Sequence, residues 1–189
     1  MTSIIKVDQI QNTDGASIIK VDQIQTAGGT SVMSFDNSGN ISHSVVKPAF
    51  RIARSGSTNV TTAGGIGVIC PFDVITSNAQ NCFNQGGFTF SGGVVTVPVD
   101  GLYQLNSNIR ADGVNTGYLV GRITINGSTT GQSETYAITG DPAADYYSFN
   151  MSECFKLESG DTIEFRMASQ ADTSWSFGGA STASGYLIG

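Results

Sequence analysis

Any catalysis in this chain would have to be carried by a short set of side chains. The sequence holds a single histidine, His43, which lies ahead of the long run of strand patterns beginning at Pro48. A Ser/His/Asp triad would depend on it and so lacks its base. Paired-carboxylate hydrolysis would draw on Asp141, Asp145, Glu153, Glu158, Asp161 and Glu164. That chemistry needs two acids held at a set separation in a cleft. Nearly all six fall at turn signals or on the outward side of alternating segments, where carboxylates are solvated. Three cysteines, at 70, 82 and 154, are odd in number and lack Cys-x-x-Cys spacing. Buried thiols are expected, with one Cys70–Cys82 bridge left open, and a zinc site is not. Gly64-Gly65-Ile66-Gly67 hints at a phosphate cradle, but no helix pattern follows it, so it reads as a turn or loop. No enzyme activity, cofactor or metal site is therefore expected. His43, with no second histidine and no acidic cluster beside it, reads as an exposed linker residue. Binding chemistry remains. Tyr136, Tyr146, Tyr147 and Trp175 could supply aromatic faces to a sugar or a protein, core and subunit packing being the competing use. Tyr136, Tyr146 and Trp175 are the candidate receptor rim.

The elements that must hold these residues are strands. Charged residues make up only 13% of the chain, and Gly (24 residues), Ser, Thr and Asn are abundant. That is the profile of a β-sandwich or a fibrous appendage. No window carries a helical apolar stripe. A length of 189 residues fits one domain, or one domain with an arm. The net charge of -6 argues against nucleic acid, whose phosphates need clustered Lys and Arg. The N-terminal Met1–Lys6 has no long apolar core and no run reaches spanning length, so neither a secretory leader nor membrane insertion is expected.

The clearest strand follows Asp100-Gly101. Tyr103, Leu105, Ser107 and Ile109 alternate with Gln104, Asn106, Asn108 and Arg110, a period of two with one polar face. Before the turn, Val95, Val97 and Val99 suggest a partner strand, with Pro98 marking an edge or a bulge. A strand is expected through Val68–Val74. Further alternating faces are expected at Leu119–Ile125, closed by the hairpin signal Asn126-Gly127, and at Tyr147–Met151. Another runs through Ile163, Phe165 and Met167, with Thr162, Glu164 and Arg166 outward. Asn84–Gly87 reads as a turn.

The first part of the chain is different. Ser-Ile-Ile-Lys-Val-Asp-Gln-Ile-Gln occupies residues 3–11 and recurs without change at 17–25, an offset of fourteen. A decayed copy begins at Ser31, and turn-rich Asn12–Gly15 and Thr26–Gly29 separate the copies. Each copy reads as a strand and a turn. Ile5 and Val7 (Ile19 and Val21 in the second copy) share one face; Ile4 and Ile10 (Ile18 and Ile24) share the other. Strands apolar on both faces need cover on both, which so short an arm cannot supply for itself. Residues 1–42 are thus expected to be an arm that docks, 43–47 a hinge, and 48–189 the knob.

Two resemblances give these parts a context. The arm, through Asp36-Asn37-Ser38-Gly39-Asn40-Ile41, resembles the N-terminal segments of virion appendage proteins of tailed bacteriophages, marine cyanophages especially. The knob resembles the C1q/TNF-like family, block by block in family order. Pro48-Ala49-Phe50 matches its opening strand, and Phe72-Asp73-Val74 with Asn78 its next segment. Gly87-Phe88-Thr89 with Val97-Pro98-Val99-Asp100-Gly101-Leu102-Tyr103 matches its central signature, and Ile125-Asn126-Gly127 its hairpin. Phe155–Ile163, with Leu157, Gly160 and Asp161, and Ser184-Gly185-Tyr186-Leu187-Ile188 match its closing segments. Gly92-Gly93 and the polar stretch 128–145 depart from the pattern, at loops. The family implies an all-β antiparallel jelly-roll sandwich that forms compact homotrimers. It also implies core or trimer positions at Phe50, Phe72, Phe88, Val97, Gly101, Tyr103, Leu105, Phe149, Leu157, Gly160, Asp161, Phe165, Gly185, Tyr186 and Leu187. Its members often bind calcium, but no acidic cluster here maps onto such a site.

Together these imply a non-enzymatic virion protein, assembled in the host cytoplasm. It would be a trimeric fibre whose arm joins other virion proteins and whose knob meets a host-surface glycan or protein. The alternatives are a head fibre or capsid decoration (cement) protein, and a free C1q-like adhesin or lectin module. A capsule depolymerase is disfavoured by the missing catalytic residues.

Overall fold

Turn-forming residues cut this chain into short segments, and each segment that alternates becomes a strand; no helix occurs among the described residues. The computed structural model describes residues 9–13, 16–20, 23–25, 31–35, 41–43, 47–61, 65–114, 118–138, 146–170 and 174–188, the backbone alone before residue 47 and over 129–138. The chain divides into two units, Met1–Val46 and Lys47–Gly189.

In the first unit, β1 (Gln9–Thr13) and β2 (Ala16–Lys20) form an antiparallel hairpin that sets Ile10 opposite Ile19. β3 (Gln23–Gln25), β4 (Ser31–Phe35) and β5 (Ile41–His43) form a three-stranded antiparallel sheet. The second repeat copy is therefore not one strand. Its first part pairs back with β1, and its last three residues pair onward with β4. His43 is not in a linker: it ends β5, opposite Met33. Of the arm positions, Ile10, Ile18, Ile19 and Ile24 lie in these strands, while Ile4, Ile5, Val7 and Val21 lie outside the described residues.

The second unit runs β6 (Ala49–Ala53), β7 (Thr58–Val60), β8 (Val68–Ile69), β9 (Phe83–Gln85), β10 (Thr89–Ser91), β11 (Val94–Thr96), β12 (Gly101–Asp112) and β13 (Tyr118–Ile125). It continues β14 (Ser128–Ile138), β15 (Tyr146–Leu157), β16 (Thr162–Ser169), β17 (Trp175–Phe177) and β18 (Thr182–Leu187). Every pairing is antiparallel. One sheet has the order β10-β11-β16-β13-β14, with β8 also on β16. The other has the order β7-β17-β12-β18-β6-β9, with β15 along the free side of β12. The chain is all-β, as expected.

One apolar cluster draws on both sheets. Phe50, Ile52, Tyr103, Leu105, Ile109 and Phe149 come from one, and Val95, Leu119, Ile123, Ile163, Phe165 and Met167 from the other. Burying each such side chain stabilises by roughly 1.5–3 kcal/mol. Aromatic rings meet edge to face, Phe50 on Phe88 at 4.8 Å between centroids and Phe72 on Phe165 at 6.0 Å. Gly185 in β18 lets the sheet close over this core: a Cβ there would stand 2.6 Å from Phe50 Cε1 and 2.8 Å from Leu105 Cδ2.

Several sequence expectations change. The valine strand and the strand after Asp100-Gly101 are not partners: β11 lies in one sheet, β12 in the other. β11 ends at Thr96, and Pro98, with no N–H to pair, lies in the connection; Val99 is exposed there. The Val68–Val74 strand is cut to Val68–Ile69 because Pro71 cannot pair, although Cys70 and Phe72 remain buried. Phe83–Gln85, read partly as a turn, is β9, and the turn falls on Gly86 and Gly87. Gly92-Gly93 is a two-residue hairpin turn with φ of 58° and 85°, as is Asn126-Gly127 at 53° and 67°.

Candidate functional site

The outward side of the β12 sheet carries a continuous row of binding-type side chains. Partners across a sheet point to the same side. The registers therefore align Phe83 of β9, Arg51 of β6, Ser184 of β18, Asn106 of β12 and Ser152 of β15 in one row. At about 4.8 Å per strand this lane is about 19 Å long. Tyr186, Gln104 and Cys154 flank it on one side, and Thr182, Asn108 and Asn150 on the other. The polar groups hold one another. Gln104 Nε2 donates to Ser152 Oγ (3.0 Å), Ser152 Oγ donates to Asn106 Oδ1 (2.8 Å), and Asn108 Nδ2 donates to Asn150 Oδ1 (2.9 Å).

At its β9 end the lane opens into a shallow cleft of about 700 Å³ lined by Arg51, Ser77, Asn78, Asn81 and Phe83. The loop is built locally: Ser77 and Cys82 exchange backbone hydrogen bonds of 3.0 and 2.9 Å, and Asn81 takes the left-handed conformation that Asn tolerates. Phe83 is 44% exposed. Arg51 Nε is buried without a hydrogen-bond partner. Burial pushes the neighbouring Cys82 thiol up, and the Arg51 charge pulls it part of the way back.

The candidate rim does not assemble. Tyr146 is exposed on the same outward side but six residues along β15 from Ser152, with the Arg110 guanidinium 4.3 Å above its ring. Trp175 is only 2% exposed and packs edge-on to Phe177 at 4.8 Å, so the burial that the core demands removes it from any rim. Tyr147 packs against the core. Tyr136 sits in β14 opposite Val120, and its side chain is outside the described residues. Phe50, Phe72, Phe88, Val97, Tyr103, Leu105, Phe149, Leu157 and Phe165 are buried. Tyr186 is not: it stands on the outward face at 48% exposure, with Leu187 half-buried beside it. Gly101 opens β12, and Gly160 is an exposed turn residue at φ 95°.

The carboxylates are mostly dispersed. Glu153 and Glu158 are exposed, and Asp141 and Asp145 lie outside the described residues. Glu164 points outward as expected but is buried rather than solvated, at 8% exposure, because Thr124 Oγ1 and Arg166 Nε both donate to its Oε2 at 2.8 Å. Arg166 and Arg122 in turn reach the Gly67 and Gly65 carbonyls, drawing a loop over this face. Asp161 accepts from Asn126 Nδ2 (2.7 Å) and from the Glu158 amide (2.8 Å), which together hold its pKa below the ordinary value. Burial pushes Asp73 up, but the Ser55 hydroxyl and amide and the Arg54 guanidinium outweigh it and its pKa ends low. All three cysteines are free; Cys70 and Cys82 are buried, but Cys154, on the outward side of β15, is exposed rather than buried, and burial pushes the Cys70 thiol up to about 12. Among the described residues no group of three His, Cys, Asp or Glu side chains could hold a metal ion.

Arg51 and Phe83 were each visible in the sequence as residues, but not as a pair. Thirty-two positions separate them, and only the β6–β9 register brings them together. No protein-family model matches the sequence, and no curated protein matches it significantly.

Proposed function

We propose that this chain is a bacteriophage structural protein, a homotrimeric fibre or appendage. In this reading the arm attaches it to the particle and a C1q/TNF-like jelly-roll knob is exposed to bind the host surface. The observation that carries it is the unchanged nine-residue repeat at an offset of fourteen, set in a unit apart from the one that holds the apolar core. A repeat apolar on both strand faces serves burial against other chains. A unit with its own core serves presentation, and its outward polar lane offers a surface to present. Self-association is supported by Leu102, Tyr186 and Ile188, which lie to the Gln104 side of the lane and outside its row. All three are exposed, and the β12–β18 register with the Ile188 N–H bond to the Leu102 carbonyl makes them neighbours. Native mass spectrometry of the full chain tests the trimer: three copies are expected, and a folded monomer at micromolar concentration sinks it. Deleting residues 1–42 tests attachment. The remaining knob stays folded and trimeric and disappears from purified particles, whereas a normal copy number on those particles would mean that the knob attaches itself.

A further inference from the structure

The Arg51 cleft carries an inference that rests on the reading of the second unit as the presented part, and goes on to name its ligand. Arg51 is half-buried on β6 of an acidic chain, and no carboxylate is paired with it among the described residues. Its Nε points at no acceptor although it is out of reach of solvent. A ligand reaches the Nε no better than water does, but Arg51 lines the cleft, and a planar carboxylate is the shape that a guanidinium fork fits.

The rest of the cleft narrows the class. Phe83 offers an exposed ring directly across from Arg51. Ser77, Asn78 and Asn81 add a hydroxyl and two amides, groups that donate and accept alike. Beyond Arg51 the lane continues through Ser184, Asn106 and Ser152, again hydroxyls and an amide, with no charge in the row. One cation, one aromatic face and a file of neutral hydrogen-bonding groups suit a chain of sugar rings with an acidic group. Each ring has hydroxyls to pair along its rim and C–H bonds to lay on an aromatic face. An acidic peptide would instead use apolar pockets or backbone pairing along the strand edge. We propose that Arg51, Ser77, Asn78, Asn81 and Phe83 form a subsite for a uronic-acid residue. The oligosaccharide it belongs to runs across the strands over Ser184 and Asn106.

Calorimetric titration of the full chain at low salt tests this with tetragalacturonate, tetramannuronate and a hyaluronan tetrasaccharide, each against its methyl-esterified counterpart. At least one acid is expected to bind better than its ester. Arg51→Gln should lose about tenfold or more in affinity for that acid and most of its preference over the ester. Phe83→Ala should weaken acid and ester alike, since the ring contact does not depend on charge. Asn78→Ala, on an exposed loop, keeps the subsite testable if Arg51→Gln does not fold: a few-fold loss on acid and ester alike is expected, and unchanged affinity for both overturns the assignment. No binding by any of the three acids overturns the assignment, and so does an Arg51→Gln protein that still discriminates acid from ester. A variant that drops to a smaller oligomer while no sugar binds the parent protein would mean that Arg51 pairs with an acidic side chain of a second copy, which also overturns it. None of these outcomes alters knob copy number on particles, so this inference and the virion reading fail separately.

Discussion

At the scale of single residues, the side chains that matter most for stability are those whose polar end is satisfied inside or beside the core. Tyr103 is fully buried, and its hydroxyl donates to the Val99 carbonyl at 2.8 Å. Tyr103→Ala is expected to cost about 3–5 kcal/mol, a large truncation in a core that cannot collapse fully. Tyr103→Phe, which keeps the ring, is expected to cost about 1 kcal/mol, since Val99 is exposed and its carbonyl can turn to water. Urea denaturation followed by tryptophan fluorescence measures both, Trp175 being buried in the same cluster. Equal losses would place the ring outside the core. Glu164 makes a different case. Removing its carboxylate leaves Arg166 Nε and the Thr124 hydroxyl without their acceptor, so Glu164→Ala is expected to cost about 3 kcal/mol. Glu164→Gln, which retains an acceptor, is expected to cost less. If Glu164→Ala melts with the parent, the cluster is solvated and contributes nothing.

At the scale of elements, the turns are fastened to one another by side chains. Asn126, at the tip of the β13–β14 hairpin, holds both Asp161 and the Thr162 amide, so the β15–β16 turn is tied to its neighbour. The Asp161 pKa lies below the roughly 3.9 of an unfolded aspartate, so the folded state favours the carboxylate. The stability this contributes is fully present above that unfolded value. It is lost as pH falls through the lower, folded pKa. Thermal melts from pH 6 to pH 2 should show a shallower acid decline for Asp161→Asn than for the parent, and an unchanged decline would remove Asp161 from the account. Elements were also where the sequence was most and least legible. Alternation places Tyr103, Leu105 and Ile109 inside and Gln104, Asn106 and Asn108 outside, because a period of two is a local property of β12. Asn126-Gly127 and its turn were legible for the same reason. The assignment of β11 and β12 to different sheets was not, since nothing local tells a tight turn from a connection between sheets. The outward burial of Glu164 depends on Thr124, forty positions away, and the cleft depends on the β6–β9 register. Both are long-range facts that a single strand pattern does not contain. Trp175 shows the remaining ambiguity: an aromatic residue near a loop serves a rim or a core equally well until its neighbours are known.

At the scale of the whole second unit, nearly all the pairing is between segments far apart in sequence. β12 alone joins β15, β17 and β18. Such a topology predicts slow folding, in the range of milliseconds to seconds, as for other domains dominated by distant pairings. Lys47 Nζ donates to the Ile188 carbonyl at 2.9 Å, and the Leu187 amide donates to the Pro48 carbonyl at 2.9 Å. The unit is therefore almost a closed ring of chain, with its two ends tied together and the point of opening arbitrary. Joining residue 188 to residue 47 by a few glycines and reopening the ring between Gly127 and Ser128, where a hairpin tip is exposed, should yield the same sheets in a new sequence order. The same far-UV spectrum and a single cooperative melt are expected of that permuted protein. An unfolded product would mean that β6 must lead the chain for the sheet to form.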